Sequence, residues 1–232
     1  MTASHTILLH GALGDRRQLT PLVDRLASAG LPGLTALELP GHGTTPLTEG
    51  SFRIEGFAQA VVSALDERGI AEADFFGYSM GGYVALHLAA TVPARVRRVA
   101  TLATKLAWTP EVAARESAML DAEVIRANVR KFAATLEQRH TAIGWEVVLA
   151  HTIGLLRGLG DRPLLTPAVL SSIARPVRIA VGDRDATVSI AESADAVKLL
   201  PQGELEVHPR TPHPFEKAPL DRLTQSLVDF FA

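Results

Sequence analysis

The chain contains no cysteine. Disulfides, thiolate nucleophiles and cysteine-based zinc sites are therefore excluded outright. The absence does not fix a compartment, but it removes any positive argument for secretion. An excess of one charge is missing too: 23 Lys and Arg face 25 Asp and Glu, for a formal net charge of −2. Such a balance predicts no field that would gather nucleic acid or an anionic membrane. The tightest basic cluster, Arg95, Arg97 and Arg98, reads as a solvated turn after a helix. Aromatic residues make up only 5% of the chain, so Ala, Leu and Val must do most of the filling. No apolar stretch approaches the ~18 residues needed to span a bilayer. The first residues carry no basic leader, and Ile7-Leu8-Leu9 is too short for a signal-peptide core. The expectation is a cytoplasmic protein.

What is present is a soluble globular composition, 47% hydrophobic over 232 residues. That length suits one α/β domain with an insertion and buries a core without staples. Short apolar runs predict strands at Thr6 to His10, Leu34 to Leu39, Asp74 to Tyr78 and Val96 to Ala103. Helical spacing predicts helices between them, at Asp15 to Gly30, Ile54 to Arg68 and Met80 to Thr91. Strict alternation of strand and helix argues for a parallel sheet covered on both faces. From residue 104 to 174 only helical patterns occur: Pro110 to Leu120, Glu123 to Leu136, Thr141 to Arg157 and a short Val169 to Ile173. Gly158 to Pro163 reads as a break. Alternation resumes with strands at Val177 to Val181 and Glu204 to His208, and helices at Ile190 to Leu200 and Pro219 to Phe231. The fold class expected is α/β: a mostly parallel sheet of about six strands flanked by helices. Residues 1–103 and 175–232 form its core, and an all-helical block, 104–174, is inserted after the fourth strand.

The strongest chemical signal is Gly77-Tyr78-Ser79-Met80-Gly81, with Gly82 following. A hydrophobic strand leads in and an Ala-rich helix leads out. A sharp turn between them would expose the Ser79 hydroxyl at a helix N-terminus, where developing negative charge is favoured. A serine hydroxyl is a poor nucleophile and needs a base. Of eight histidines, His213 follows the last strand and precedes the last helix, on the sheet edge shared with Ser79. The base needs an acceptor on its other nitrogen. Asp185, in the loop after the Val177 strand, is the candidate, and Asp183 the fallback. The backbone N–H groups of Met80 and of Ala12, in the loop after the first strand, are the candidate oxyanion donors. His10 reads as a loop-shaping or pocket-lining residue. Trp108, Met119, Leu120 and Trp145 in the helical block, together with Tyr78, are candidates for lining the substrate pocket.

His10-Gly11-Ala12, Leu39-Pro40-Gly41-His42-Gly43, Gly77 to Gly82, Gly182-Asp183-Arg184-Asp185 and Pro212-His213-Pro214 together resemble the α/β-hydrolase superfamily. The resemblance spans the core from about residue 5 to the C-terminus. It implies a catalytic triad of Ser79, Asp185 and His213, an oxyanion hole, and a helical cap where residues 104–174 stand. It implies a small-molecule ester, thioester or lactone as substrate, with neither cofactor nor metal. Two departures stand out, the first being Thr44-Thr45 after Pro40-Gly41-His42-Gly43, where the family usually has a residue and a serine. The chain starts almost at the His-Gly loop, so one or two edge strands of the family should be missing. The segment from Gly77 also resembles a lyase of menaquinone synthesis, but that relative carries arginine where Tyr83 stands. Haloperoxidase-like members share Ser-Met-Gly-Gly. A C–C bond hydrolase or lyase and a non-catalytic binding protein are therefore the rival expectations. Substrate identity and oligomeric state are not written in the sequence.

Overall fold

The computed structural model describes residues 4–232. Six strands form one sheet: β1 (Thr6–Leu9), β2 (Leu34–Leu37), β3 (Ala73–Tyr78), β4 (Val96–Leu102), β5 (Val177–Gly182) and β6 (Gly203–His208). Every pairing is parallel, in the order β2-β1-β3-β4-β5-β6. Among the described residues no helix is long and apolar enough to cross a membrane.

The central strands β1, β3, β4 and β5 are mostly buried because both faces are covered, whereas the edge strand β6 carries Glu204 and Glu206 and leaves Leu205 and Val207 exposed. Successive side chains on β1 and β3 enter different cores. Ile7, Leu9 and Phe75 pack with α2 (Ile54–Glu67) and α3 (Met80–Thr91). Leu8 and Phe76 pack with α1 (Thr20–Ser28) and α10 (Leu220–Phe231) on the other side. The helix expected from Asp15 begins as a 3-10 turn, Arg16–Leu19, capped by the Asp15 carboxylate.

The chain visits β2 on one side of β1 and then crosses to β3 on the other. This reversal opens a crevice beyond the C-terminal ends of β1 and β3, where ligands collect in open α/β sheets. Leu9 stands level with Gly77 in that pair. The loop after β1 and the turn after β3 therefore emerge side by side.

Five helices separate β4 from β5: α4 (Pro110–Ala118), α5 (Ala122–Asn128), α6 (Arg130–Arg139), α7 (Trp145–Asp161) and α8 (Pro167–Ser172). Several differ from the sequence expectation. The single helix expected over Glu123 to Leu136 breaks at Val129, whose φ of −131° and ψ of 53° are not helical. A straight helix would hold Ile125 and Leu136 about 16 Å apart. The break lets both pack into one cluster with Trp145 and Leu149. Gly144, at φ +83°, delays the next helix to Trp145. That helix then runs through the expected break at Gly158. Gly160 lies so close to α4 that a Cβ there would meet the Ala113 methyl at 2.5 Å and the Thr109 carbonyl at 2.9 Å.

The Arg95–Arg98 cluster is no solvated turn. Arg97 and Arg98 lie on β4, and both hold the fully buried Asp74 carboxylate. Arg98 also donates to the carbonyls of Phe231 and Ala232, tying the end of α10 to the sheet. Arg95 pairs with Asp66 and donates to the carbonyls of Ile70 and Ala71. These arginines are consumed in the core's polar edge.

Candidate active site

Ser79 sits between β3 and α3 with φ 51° and ψ −115°, a left-handed conformation rare for a residue with a side chain. The neighbouring glycines make it possible. A Cβ on Gly77 would lie 2.3 Å from the Gly82 nitrogen, and one on Gly81 2.3 Å from the Leu9 carbonyl oxygen. The turn is further held by the Ser79 N–H donating to Leu102 O (2.8 Å) and by Thr104 Oγ1 donating to Ser79 O (3.0 Å).

The Ser79 hydroxyl lies 3.3 Å from His213 Nε2. His213 Nδ1 lies 2.8 Å from Asp185 Oδ2. The other oxygen of Asp185 accepts the N–H groups of Thr187 and Val188, each at 2.8 Å. Burial works against the Asp185 carboxylate, yet its bond to His213 and these two N–H groups outweigh it and hold its pKa below the usual value. Asp183 lies elsewhere: it is exposed and accepts the Thr211 N–H, pinning the turn. Tyr78 lines the cavity and donates its hydroxyl to the His213 carbonyl at 2.9 Å, anchoring the histidine's backbone. Burial, and to a lesser degree the Glu216 charge, push its phenol pKa up, so it stays a donor.

These groups open into a cavity of about 310 Å³. Ala12, Ser79, Met80 and His213 line its floor, and Trp108, Met119, Leu120, Phe132, Leu155 and Leu159 line its walls. Among the described residues, neither the Ala12 nor the Met80 N–H has a partner within the protein. Backbone donors are seldom left so, and both residues line the cavity that holds Ser79.

Two expected lining residues are elsewhere. Trp145 is absent from the cavity wall: it begins α7 facing away, buried with Ile125, Leu136 and Leu149, with the Arg126 guanidinium 5.3 Å above its ring. His10 is fully buried behind the loop, not in the cavity. Its Nδ1 donates to Gly11 O (2.8 Å) and its Nε2 accepts from Leu39 N (3.1 Å). Sequence reasoning passed over three other residues. Lys105 donates to Thr187 O (2.8 Å) and pairs with Glu192, bracing the Asp185 loop. Arg139 donates to Leu13 O (2.6 Å), and His140 lies 3.2 Å from the same oxygen. All three sit where the block meets the core, and no local sequence pattern marks such contacts. Among the described residues no group of three His, Asp or Glu side chains is arranged to hold a metal ion.

The alpha/beta hydrolase fold family matches residues 5–152, more than half of the chain. The chain belongs to that family. Within it, this hydrolase-fold chain is 38% identical over 97 residues to a pimeloyl-(acyl-carrier protein) methyl ester esterase of Neisseria meningitidis serogroup C, covering 42% of this chain and 35% of that protein. It is 26% identical to the biotin biosynthesis bifunctional protein BioHC of Cellvibrio japonicus, over 100% of this chain and 48% of that one. The chain thus spans about a third to a half of these curated relatives. Solved structures share its fold. The enol-lactonase from Burkholderia xenovorans LB400 superposes with a TM-score of 0.77 at 21% identity, covering 98% of this chain and 91% of that one. A carboxylesterase structure from Nitrososphaera gargenis gives 0.80 at 17% identity, covering 99% and 90%.

Proposed function

We propose that the protein is a serine hydrolase that cleaves a carboxylic ester of a small molecule through an acyl-enzyme on Ser79. The reading rests on one observation: Ser79, His213 and Asp185 form a continuous hydrogen-bonded chain at the floor of an apolar-walled cavity. His213 takes the serine proton on Nε2 as Oγ attacks the carbonyl, then returns it to the leaving alcohol. Asp185 fixes the tautomer through Nδ1–H and steadies the imidazolium. The Ala12 and Met80 N–H groups receive the oxyanion, a contribution of roughly 10²–10³ in turnover for each donor. Water, activated by the same histidine, then releases the acid.

In this reading residues 1–103 and 175–232 are the catalytic core, and 104–174 a cap that walls the cavity. Trp108, Met119 and Tyr78 belong to the substrate pocket. A cavity at the lower end of ligand-pocket sizes favours a short substrate. The lyase reading loses support at Tyr83, whose hydroxyl accepts the Leu164 and Leu165 N–H groups (both 3.0 Å) and so braces the cap. The test is turnover of a p-nitrophenyl ester series by native protein and Ser79→Ala. Native protein is expected to prefer short acyl chains, and Ser79→Ala to be inactive. Full activity in Ser79→Ala would overturn the reading.

A further inference from the structure

Three histidine rings stand behind the Gly11–Leu13 loop, and each faces a different carbonyl of it. His10 Nδ1 lies 2.8 Å from Gly11 O, His42 Nε2 2.7 Å from Ala12 O, and His140 Nε2 3.2 Å from Leu13 O. Two tautomers follow from geometry alone. His10 Nε2 accepts the Leu39 N–H, so its proton sits on Nδ1. His140 Nδ1 accepts the Gly43 N–H (3.0 Å), so its proton sits on Nε2. His42 has carbonyls at both nitrogens, and the shorter contact, to Ala12 O, takes the proton over Pro40 O at 3.1 Å.

A trans peptide points its N–H opposite to its C=O. Fixing Gly11 O on one side therefore aims the Ala12 N–H to the other. Fixing Ala12 O and Leu13 O holds the next two peptide planes as well. The loop cannot rotate about Ala12 without breaking one of these bonds. The rings also brace one another: His42 lies 5.0 Å from His10 and 5.9 Å from His140, stacked on Phe52 at 4.9 Å.

The three rings come from different places. His10 directly follows β1 and His42 lies in the loop after β2, but His140 follows α6 in the helical block. The same junction adds the Arg139 bond to Leu13 O and an Ala142 N–H bond to Gly43 O (3.3 Å). We propose that His42 and His140 are positioning residues that preset the Ala12 oxyanion donor, and that His140 makes this presetting depend on docking of the helical block. The proposal rests on the hydrolase reading above.

The test compares His140→Phe, which keeps ring volume, with His140→Gln, whose amide N–H can reach the Leu13 carbonyl. Readouts are kcat and KM on a short p-nitrophenyl ester, inhibition by an alkylboronic acid that forms a tetrahedral adduct on serine, and folded fraction by circular dichroism. For folded His140→Phe we expect kcat to fall roughly 10- to 100-fold, less than loss of a whole donor. KM should stay within about threefold, and boronate affinity should weaken in step with kcat. His140→Gln should recover most of both. His42→Gln should likewise outperform His42→Phe. The proposal is overturned if folded His140→Phe keeps native kcat, if His140→Gln is no better than His140→Phe, or if both lose activity only in step with folded fraction. Each of these leaves Ser79→Ala inactive. A Ser79→Ala protein that still turns over would instead sink the hydrolase reading itself.

Discussion

Asp185 divides its two oxygens between two tasks. Oδ1 takes two loop N–H groups, which leaves Oδ2 for His213. Asp185→Asn should therefore keep the loop but present the wrong group to Nδ1, lowering kcat by roughly 10³–10⁴. Asp183→Asn keeps an acceptor for the Thr211 N–H, and kcat should stay within about twofold of native. Steady-state turnover of a short ester separates the two, and the reverse ranking would make Asp183 the acid. Tyr78→Phe removes one hydrogen bond to the His213 backbone, worth about 1 kcal/mol. Its kcat should fall several-fold with KM nearly unchanged; a change in KM alone would make Tyr78 a binding residue only.

Elements were readable where hydrophobic period and local punctuation agreed. The central strands are short, mostly buried runs, and Ser79 stands between one of them and a helix rich in small residues. The serine, the base and the acid each follow a strand, so their meeting at one sheet edge follows from alternation alone. Less legible was the helical block. Periodicity does not say that Ile125 and Leu136 share one neighbour, so the break at Val129 was hidden. Nor does hydrophobicity say which way a first-turn tryptophan points, and Trp145 packs with Ile125, Leu136 and Leu149 and does not line the cavity. His140 reaches the Gly11–Leu13 loop only through tertiary packing. Gly160 lies within the stretch Gly158 to Pro163 expected to break the helix, whereas its missing side chain lets α7 touch α4. Gly160→Val should destabilise the protein by about 1–3 kcal/mol through overpacking against backbone. Gly158→Ala, in the same helix with open space around it, should be neutral or stabilise by up to about 1 kcal/mol. Urea unfolding measures both, and equal effects would mean that α4 and α7 are not in close contact.

Across the whole molecule, the sheet reversal between β1 and β3 makes the crevice, the helical block covers it, and buried histidines join the two. Burial, then the neighbouring His42, hold His10 well below its ordinary pKa; burial lowers His42 to about 4 and lowers His140 as well. An unfolded histidine titrates near the ordinary 6.5. Between pH 6.5 and 4 the unfolded chain therefore takes up protons that the folded chain refuses, and stability falls as pH falls. His42 alone accounts for about 3 kcal/mol across that window, and no further loss comes from it below its folded pKa. Thermal melts should show a lower Tm at pH 4.5 than at pH 7, and a smaller difference in His42→Phe, which keeps the stack on Phe52. An identical pH dependence in the variant would mean that the buried ring is not the source.

The central claim is that one serine forms the covalent intermediate, and fluorophosphonate labelling with peptide mass spectrometry reads it directly. The native protein should carry a single adduct on the peptide containing Ser79, and His213→Ala should label far more slowly. An unlabelled native protein, or an adduct on any other serine, would contradict the account.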